Sequence, residues 1–309
     1  MLITLTLNPA VDKTIYLNDF AIGEVNRPQK VRKDAGGKGI NVSKVAAKLD
    51  HPTTAFGFLG GAAGEFIKNE INKLQIKQDF VELNDETRTN LKIVDQDDHI
   101  ETEINEAGAK VTTEELAALK KRVLAKASAG DSLVLTGSLP PGVPDDIYAE
   151  LIKKLQEKDV KTFLDASDTA LKEGIKAKPF LVKPNQAELE RLVGRELFTL
   201  DDIITAAKRI QDNGPKIVVI SRGSQGSLAI STARNLKITA PEVEPHSTIG
   251  AGDTLVAALA IKLEAGLSLS EALRYSAAAS ANSVTQPGTQ LCKPDEIADL
   301  IDKVKVTEI

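Results

Sequence analysis

The chain has 309 residues, of which 42% are hydrophobic and 27% charged, and carries a formal net charge of -5. This length can bury a substantial core, the composition excludes a disordered, collagen-like or membrane-embedded chain, and the acidic balance gives no general electrostatic reason to bind nucleic acid. A single cysteine, Cys292, rules out an intramolecular disulfide and any zinc site built on several cysteines, which fits a reducing compartment.

The first segment, 2–7, alternates apolar and polar residues and ends at Asn8-Pro9, as a strand entering a turn does. It has neither the basic region nor the small-residue cleavage site of a signal peptide. The apolar stretch 254–263 is interrupted well before the roughly 20 residues a membrane helix needs. Both absences predict a cytoplasmic protein. Helical spacing follows over 40–49, a strand over 54–59 and a second helix over 65–74. Segments 90–94 and 99–104 then alternate at period two around Asp95-Gln96-Asp97-Asp98, which predicts a hairpin with one face covered. With the strand-like 14–17 it predicts a small second sheet outside the main body, acting as a lid.

Beyond Glu106 the strand-helix rhythm returns: helix 113–127, strand 132–135, helix 145–157, strand 162–165, strand 180–182, a helix from Gln186, strand 216–221, the pair 227–230 and 236–238, and helices from Ala251 and Ser270. The strands are short continuous apolar runs, the pattern of parallel strands covered on both faces by helices. The expected organisation is a single domain over 1–309, with a discontinuous lid from about 12–27 and 88–106.

Five polar or glycine-rich segments stand at the ends of these elements. Ser247-Thr248-Ile249-Gly250-Ala251-Gly252-Asp253 opens a helix, where main-chain amides converge on an anion and the helix dipole favours negative charge. Asp253 in that first turn can accept a proton from an attacking hydroxyl; alternatively it only supports the helix terminus. Asp34-Ala35-Gly36-Gly37-Lys38-Gly39-Ile40-Asn41 also opens a helix without matching a Walker A loop, and offers close backbone approach with Lys38 and Asn41 toward a ligand, or plain structure. Lys183-Pro184-Asn185-Gln186-Ala187-Glu188 places an amide and a carboxylate on one helix face, suited to organising a hydrated Mg²⁺ or to forming a capping box. Ser221-Arg222-Gly223-Ser224-Gln225-Gly226 suits either a phosphate or ribose contact or a hairpin loop. Thr136-Gly137-Ser138-Leu139-Pro140-Pro141-Gly142 follows a strand and either lines a pocket where open α/β sheets bind ligands or is an inert turn. Asp12 and Arg88 are the polar residues best placed to meet a sugar. His51, His99 and His246 share no spacing that would suggest a metal or a triad.

Taken in order, GGKGxN, NQAE and TIGAGD resemble the phosphofructokinase-B branch of the ribokinase-like sugar kinases over nearly the whole chain. The resemblance implies a three-layer α/β/α sandwich with a mostly parallel central sheet and a small β-sheet lid that can also make a homodimer contact. It implies that Asp253 is the base and that Gly250, Ala251 and Gly252 form the anion hole. Asp12, Gly37, Lys38, Asn41, Arg88, Ser138 and Arg27 would contact the sugar phosphate. Lys183, Asn185, Ser221, Gly223, Gly226 and Asn282 would contact the nucleotide, and Glu188 would organise Mg²⁺. The partners implied are ATP and a phosphorylated ketose, fructose 1-phosphate first and tagatose 6-phosphate as the alternative. Ser247 departs from the Asp common at that position, which argues against activation by a monovalent cation.

Overall fold

The computed structural model describes residues 1–98, 100–286 and 290–309. His99, predicted to begin the second arm of the hairpin, lies outside them. Strand β1 (Leu2–Thr6) leads into β2 (Ala10–Leu17) and β3 (Lys30–Gly36), and the chain then enters α1 (Lys38–Lys48). Next come β4 (Thr53–Gly60), α2 (Gly61–Lys73), β5 (Lys77–Leu83), and the hairpin of β6 (Thr89–Asp95) with β7 (Ile100–Ile104). Helix α3 (Thr113–Lys126) precedes β8 (Ser132–Thr136), α4 (Ile147–Gln156), β9 (Lys161–Asp165), α5 (Asp168–Lys176) and β10 (Leu181–Val182). After α6 (Gln186–Val193) and α7 (Leu200–Asp212) come β11 (Ile217–Ser221), β12 (Ser227–Ser231) and β13 (Asn235–Thr239). The chain closes with α8 (Ala251–Glu264), α9 (Leu269–Val284), α10 (Pro294–Ile301) and β14 (Lys305–Glu308).

The main sheet has the order β14-β13-β12-β11-β10-β9-β8-β1-β4-β5. It is parallel from β5 to β11 and antiparallel from β11 to β14. Its strands are buried on both faces because alternate residues feed two separate cores. Ile3 and Leu5 of β1 pack with Leu119, Leu151, Leu171 and Ile203 from the helices on one face. Leu2 packs with Val42, Val256 and Leu273 on the other. Helix α8, AGDTLVAALAIKLE, is buried from Asp253 to Ile261, and its small residues let α1 and α9 approach closely.

From β1 the chain moves to β4 and β5 on one side and later to β8, β9 and β10 on the other. The order therefore reverses at β1, and the crevice beyond the carboxyl ends of β1, β8, β9 and β10 is where such sheets bind ligands. Over this crevice stands a separate four-stranded sheet, β3-β2-β6-β7. It starts earlier than the sequence pattern suggests, at Ala10, and contains a strand the pattern does not show. Lys30 to Asp34 is too charged to alternate, because β3 is an edge strand whose outward residues face water. Helix α7 is also absent from the sequence reading, although Thr199 and Asp202 form a capping box at its start and Ile203, Ala206, Ala207 and Ile210 give it a buried face.

Candidate active site

Asp253 lies in the first turn of α8, behind Gly250, whose φ of 77° is the left-handed conformation that favours glycine. Its side chain is buried, and its Oδ2 accepts a hydrogen bond from Asn41 Nδ2 at 2.8 Å. Burial is the main reason its carboxyl is pushed up to about 6, and Asp165 adds to the rise; Lys38, the Asn41 amide and Lys183 pull it back. Asn41, expected to hold sugar hydroxyls, thus holds the carboxylate first, and its own buried Oδ1 has no protein partner.

Two lysines act on this carboxylate through space. Lys38 is the first residue of α1, reached through Gly36 and Gly37, and Lys183 follows β10. Both point at one buried residue, Asp165, at the end of β9: Lys38 Nζ lies 3.3 Å and Lys183 Nζ 3.2 Å from the same Oδ1. Burial by itself would raise Asp165, but Lys183 and Lys38 outweigh it and hold the carboxyl below its ordinary range. Asp165 in turn is the chief cause of the upward displacement of Lys38, with Asp253 and Glu188 contributing. Asp165 is not among the residues predicted from sequence. Its signal was an acid closing an apolar parallel strand, at the end of the sheet where ligands bind.

The glycines before Lys38 have separate tasks. A Cβ on Gly36 would stand 2.0 Å from Asp12 Oδ2, so the glycine leaves the Asp12 carboxylate its place. Gly37 has φ 111° and turns the chain into α1. Asp12 sits within β2 and faces Asp34 on one side and Asn90 on the other. Asn90 Nδ2 donates to its Oδ1 at 3.2 Å. Burial raises the Asp12 carboxyl, opposed by Asn90, Lys44 and Arg88. The same face of the small sheet carries Thr14, Tyr16, Lys92, Glu101 and Glu103, and these line a cavity of about 330 Å³ closed on its far side by His246, Ser247 and Ile249. The lining stops one residue short of Gly250. His246, which the sequence gives no role, is therefore a wall of this cavity.

Other predicted residues are already engaged within the protein. Arg88 donates from Nη2 to the Asn8 carbonyl at 2.9 Å and from Nη1 to the Glu106 carbonyl at 2.8 Å, binding the root of the small sheet to the exit of β1. Ser138, beyond β8, accepts from Asn8 Nδ2 at 3.3 Å. Arg27 is exposed in the loop between β2 and β3 and is not among the residues lining the cavity. Asn185 and Glu188 form a reciprocal capping box at the start of α6, with two bonds of 2.8 Å. Asn185 also bridges to Ser221 of β11, which brings the Lys183 loop and the Gly223 to Gly226 turn side by side. A Cβ on Gly226 would lie 2.0 Å from the Ile238 carbonyl, so that glycine is required by packing whatever else it does. Asn282 is buried: Nδ2 donates to Glu296 at 3.0 Å and Oδ1 accepts from the Lys293 amide at 2.7 Å, pinning α10 to α9.

Among the described residues no helix is long and apolar enough to cross a membrane, and no three His, Cys, Asp or Glu side chains are grouped to hold a metal. Cys292 is a buried free thiol.

A carboxylate lifted toward neutrality, two ammonium groups and a glycine-capped helix mouth can together deprotonate a hydroxyl and hold phosphate charge. The chain is 36% identical to a 1-phosphofructokinase of Haemophilus influenzae over 99% of this chain and 98% of that protein. It is 31% identical to a tagatose-6-phosphate kinase of Staphylococcus epidermidis over the full length of both. The crystal structure of phosphofructokinase-2 from Escherichia coli superposes with a TM-score of 0.93 at 33% identity, covering 97% of this chain and 98% of that one, so the three-layer sandwich is the ribokinase-like fold. The family model described as pfkB family carbohydrate kinase matches residues 5–296, and this chain belongs to that family.

Proposed function

We propose that the chain transfers the γ-phosphoryl group of ATP to a primary hydroxyl of a phosphorylated ketose, fructose 1-phosphate in the first place, giving fructose 1,6-bisphosphate. The observation that carries this reading is Asp253, buried beside Lys38 and Lys183 at the mouth of α8, within a chain that aligns end to end with a 1-phosphofructokinase. Phosphoryl transfer needs little covalent help, so alignment and charge stabilisation supply most of the acceleration. Asn41 occupies Asp253 Oδ2, which leaves Oδ1 to take the proton of the acceptor hydroxyl. Asp12 and the cavity beneath the small sheet orient the sugar, and the amides of Gly250 to Gly252 receive charge on the transferred group. Arg88, Ser138 and Arg27 remain our candidates for the acceptor phosphate; Asn185, Ser221, Gly223, Gly226 and Asn282 remain so for the nucleotide.

Mg²⁺ fits this site as an ion held mainly by substrate phosphates and water. Glu188 is buried near Lys38 and spends only Oε2 on its capping bond, one carboxylate being typical of such ions. When bound, the ion neutralises charge on the nucleotide phosphates. The small sheet acts as a lid that excludes water, a competing acceptor. Its outer face exposes Val31, Ile100 and Ile104, beside the paired Ile15 and Ile93, and a second copy of this chain would cover it in a homodimer. A cytoplasmic setting fits the single unbridged Cys292.

The full-length match to a tagatose-6-phosphate kinase favours tagatose 6-phosphate as the second reading. A coupled ADP-release assay on fructose 1-phosphate, tagatose 6-phosphate and fructose 6-phosphate separates the two by kcat/KM. Turnover of fructose 1-phosphate should exceed the others by at least about tenfold. Equal weak rates on all three would defeat the assignment.

A further inference from the structure

We propose that Asp165 is a positioning residue of the transfer step: one rigid carboxylate that holds the Lys38 and Lys183 ammonium groups in fixed places near Asp253. The inference rests on the kinase reading above and deepens it.

The anchor is built from the sheet itself. Thr136 pairs with Asp165 in the β8–β9 register, and Val182 pairs with Leu164 in the β9–β10 register, so Lys183 is placed beside Asp165 by main-chain pairing before any side chain is considered. The Lys183 amide donates to the Leu164 carbonyl at 3.0 Å. The Asp165 carbonyl is itself tied down, accepting from Thr136 Oγ1 at 2.9 Å and from the Gly137 amide at 3.2 Å. Tyr148 OH braces the same corner, donating to the Thr136 and Gly137 carbonyls. Sites built on strand ends keep their geometry better than sites on loops.

The two lysines come from different parts of the chain and face different ligands. Lys38 heads the helix that carries Asn41, on the sugar side; Lys183 precedes Asn185, on the nucleotide side. Each forms its ion pair with Asp165 and with no other carboxylate among the described residues. A lysine is a point charge on a flexible stem with many rotamers. Sharing one acceptor removes much of that freedom. Two cations share one anion here, so each ammonium keeps charge available for phosphate while its direction is fixed. A plain structural salt bridge would need only one lysine. Lys183 Nζ, moreover, comes within 3.5 Å of where a Cβ on Gly252 would stand, which puts the ammonium against the helix mouth.

The test is Asp165→Asn, nearly isosteric, assayed with ATP and the preferred sugar phosphate and also titrated with each by calorimetry. Both lysines stay charged, so affinities should change by less than about threefold, while kcat falls about 100-fold, the size of effect that angstrom-scale misplacement produces. The acidic limb of the kcat profile should move to lower pH, because a like charge beside Asp253 is withdrawn. Lys183→Met should move it to higher pH. In the Asp165→Asn background, Lys183→Met should cost far less than it does in the wild type, since its ammonium is already misplaced. Should Asp165→Asn alone not fold, Asp165→Asn/Lys183→Met set against Lys183→Met reads the same effect through Lys38, with an expected further fall of about tenfold in kcat. Wild-type kcat in a folded Asp165→Asn, or losses that are additive with an unmoved acidic limb, would reduce Asp165 to a structural ion pair. An inactive wild type would overturn both this inference and the kinase reading, whereas an active wild type matched by its Asp165→Asn variant overturns this inference alone.

Discussion

Replacing Asp253 by Asn should slow turnover steeply and make the protein more stable. The carboxyl is displaced from its ordinary 3.8 to about 6 by a burial that its partners only partly offset. At 1.36 kcal/mol per pH unit, keeping it ionised at neutral pH costs the fold about 3 kcal/mol. The raised value means that between pH 3.8 and about 6 the native state binds the proton more readily than the unfolded chain does. Its contribution to stability is therefore complete below pH 4 and is lost as pH rises through 6. The substituted amide would keep the size, retain an oxygen for the Asn41 amide and carry no charge. With an unfolding entropy of roughly 2.1 cal/mol/K per residue, the gain corresponds to a Tm higher by about 4–5 °C at pH 7.5. The difference should shrink toward zero at pH 4. Thermal denaturation of both proteins from pH 4 to 7.5, with kcat measured alongside, checks the two halves together; loss of a general base predicts a fall of about 10²- to 10⁴-fold. A variant that is less stable at pH 7.5, or that keeps substantial activity, would refute the assignment of Asp253 as a strained, buried base.

Gly36→Ala should raise KM for the sugar phosphate by about tenfold or more, equivalent to about 1.4 kcal/mol, with KM for ATP unchanged, because the new methyl would displace the Asp12 carboxylate from 2.0 Å away; steady-state kinetics with each substrate varied in turn decides it, and equal changes in both KM values would count against Asp12 as a sugar contact. Ile104→Lys, which charges the exposed face of the small sheet, should convert a homodimer into a monomer in sedimentation velocity, and a wild type that sediments as a monomer at micromolar concentration would rule out that face as the dimer contact.

Much of the architecture is local and is written in the chain. The short apolar strands between amphipathic helices declare a parallel sheet, and the glycine and asparagine turns sit at the strand exits because a helix mouth needs positive φ and unhindered amides. The segment Asn185 to Glu188 shows both its possibilities in sequence, and the capping box is visible in the fold. Lys30 to Asp34 was not readable, since an edge strand exposed on one side needs no apolar alternation. Nor was the use of Asn282 as a clamp on α10 or of Arg88 at the root of the small sheet, both of which depend on where a distant carbonyl or carboxylate arrives.

The centre of the site is where sequence stops. Its residue types and the glycines that admit them are fixed by the chain, and they are sufficient to suggest a base, an anion hole and a phosphate-binding lysine. The pairing of Asn41 with Asp253, the lifted carboxyl and the sharing of Asp165 by Lys38 and Lys183 were decided only by the tertiary structure. Charges and hydrogen bonds act through space over a few ångströms, and these groups are separated by 127 to 212 residues of chain except where adjacent strands bring them together. The register of β8, β9 and β10 and the crossovers between them set those distances, and no periodicity within a single segment encodes them.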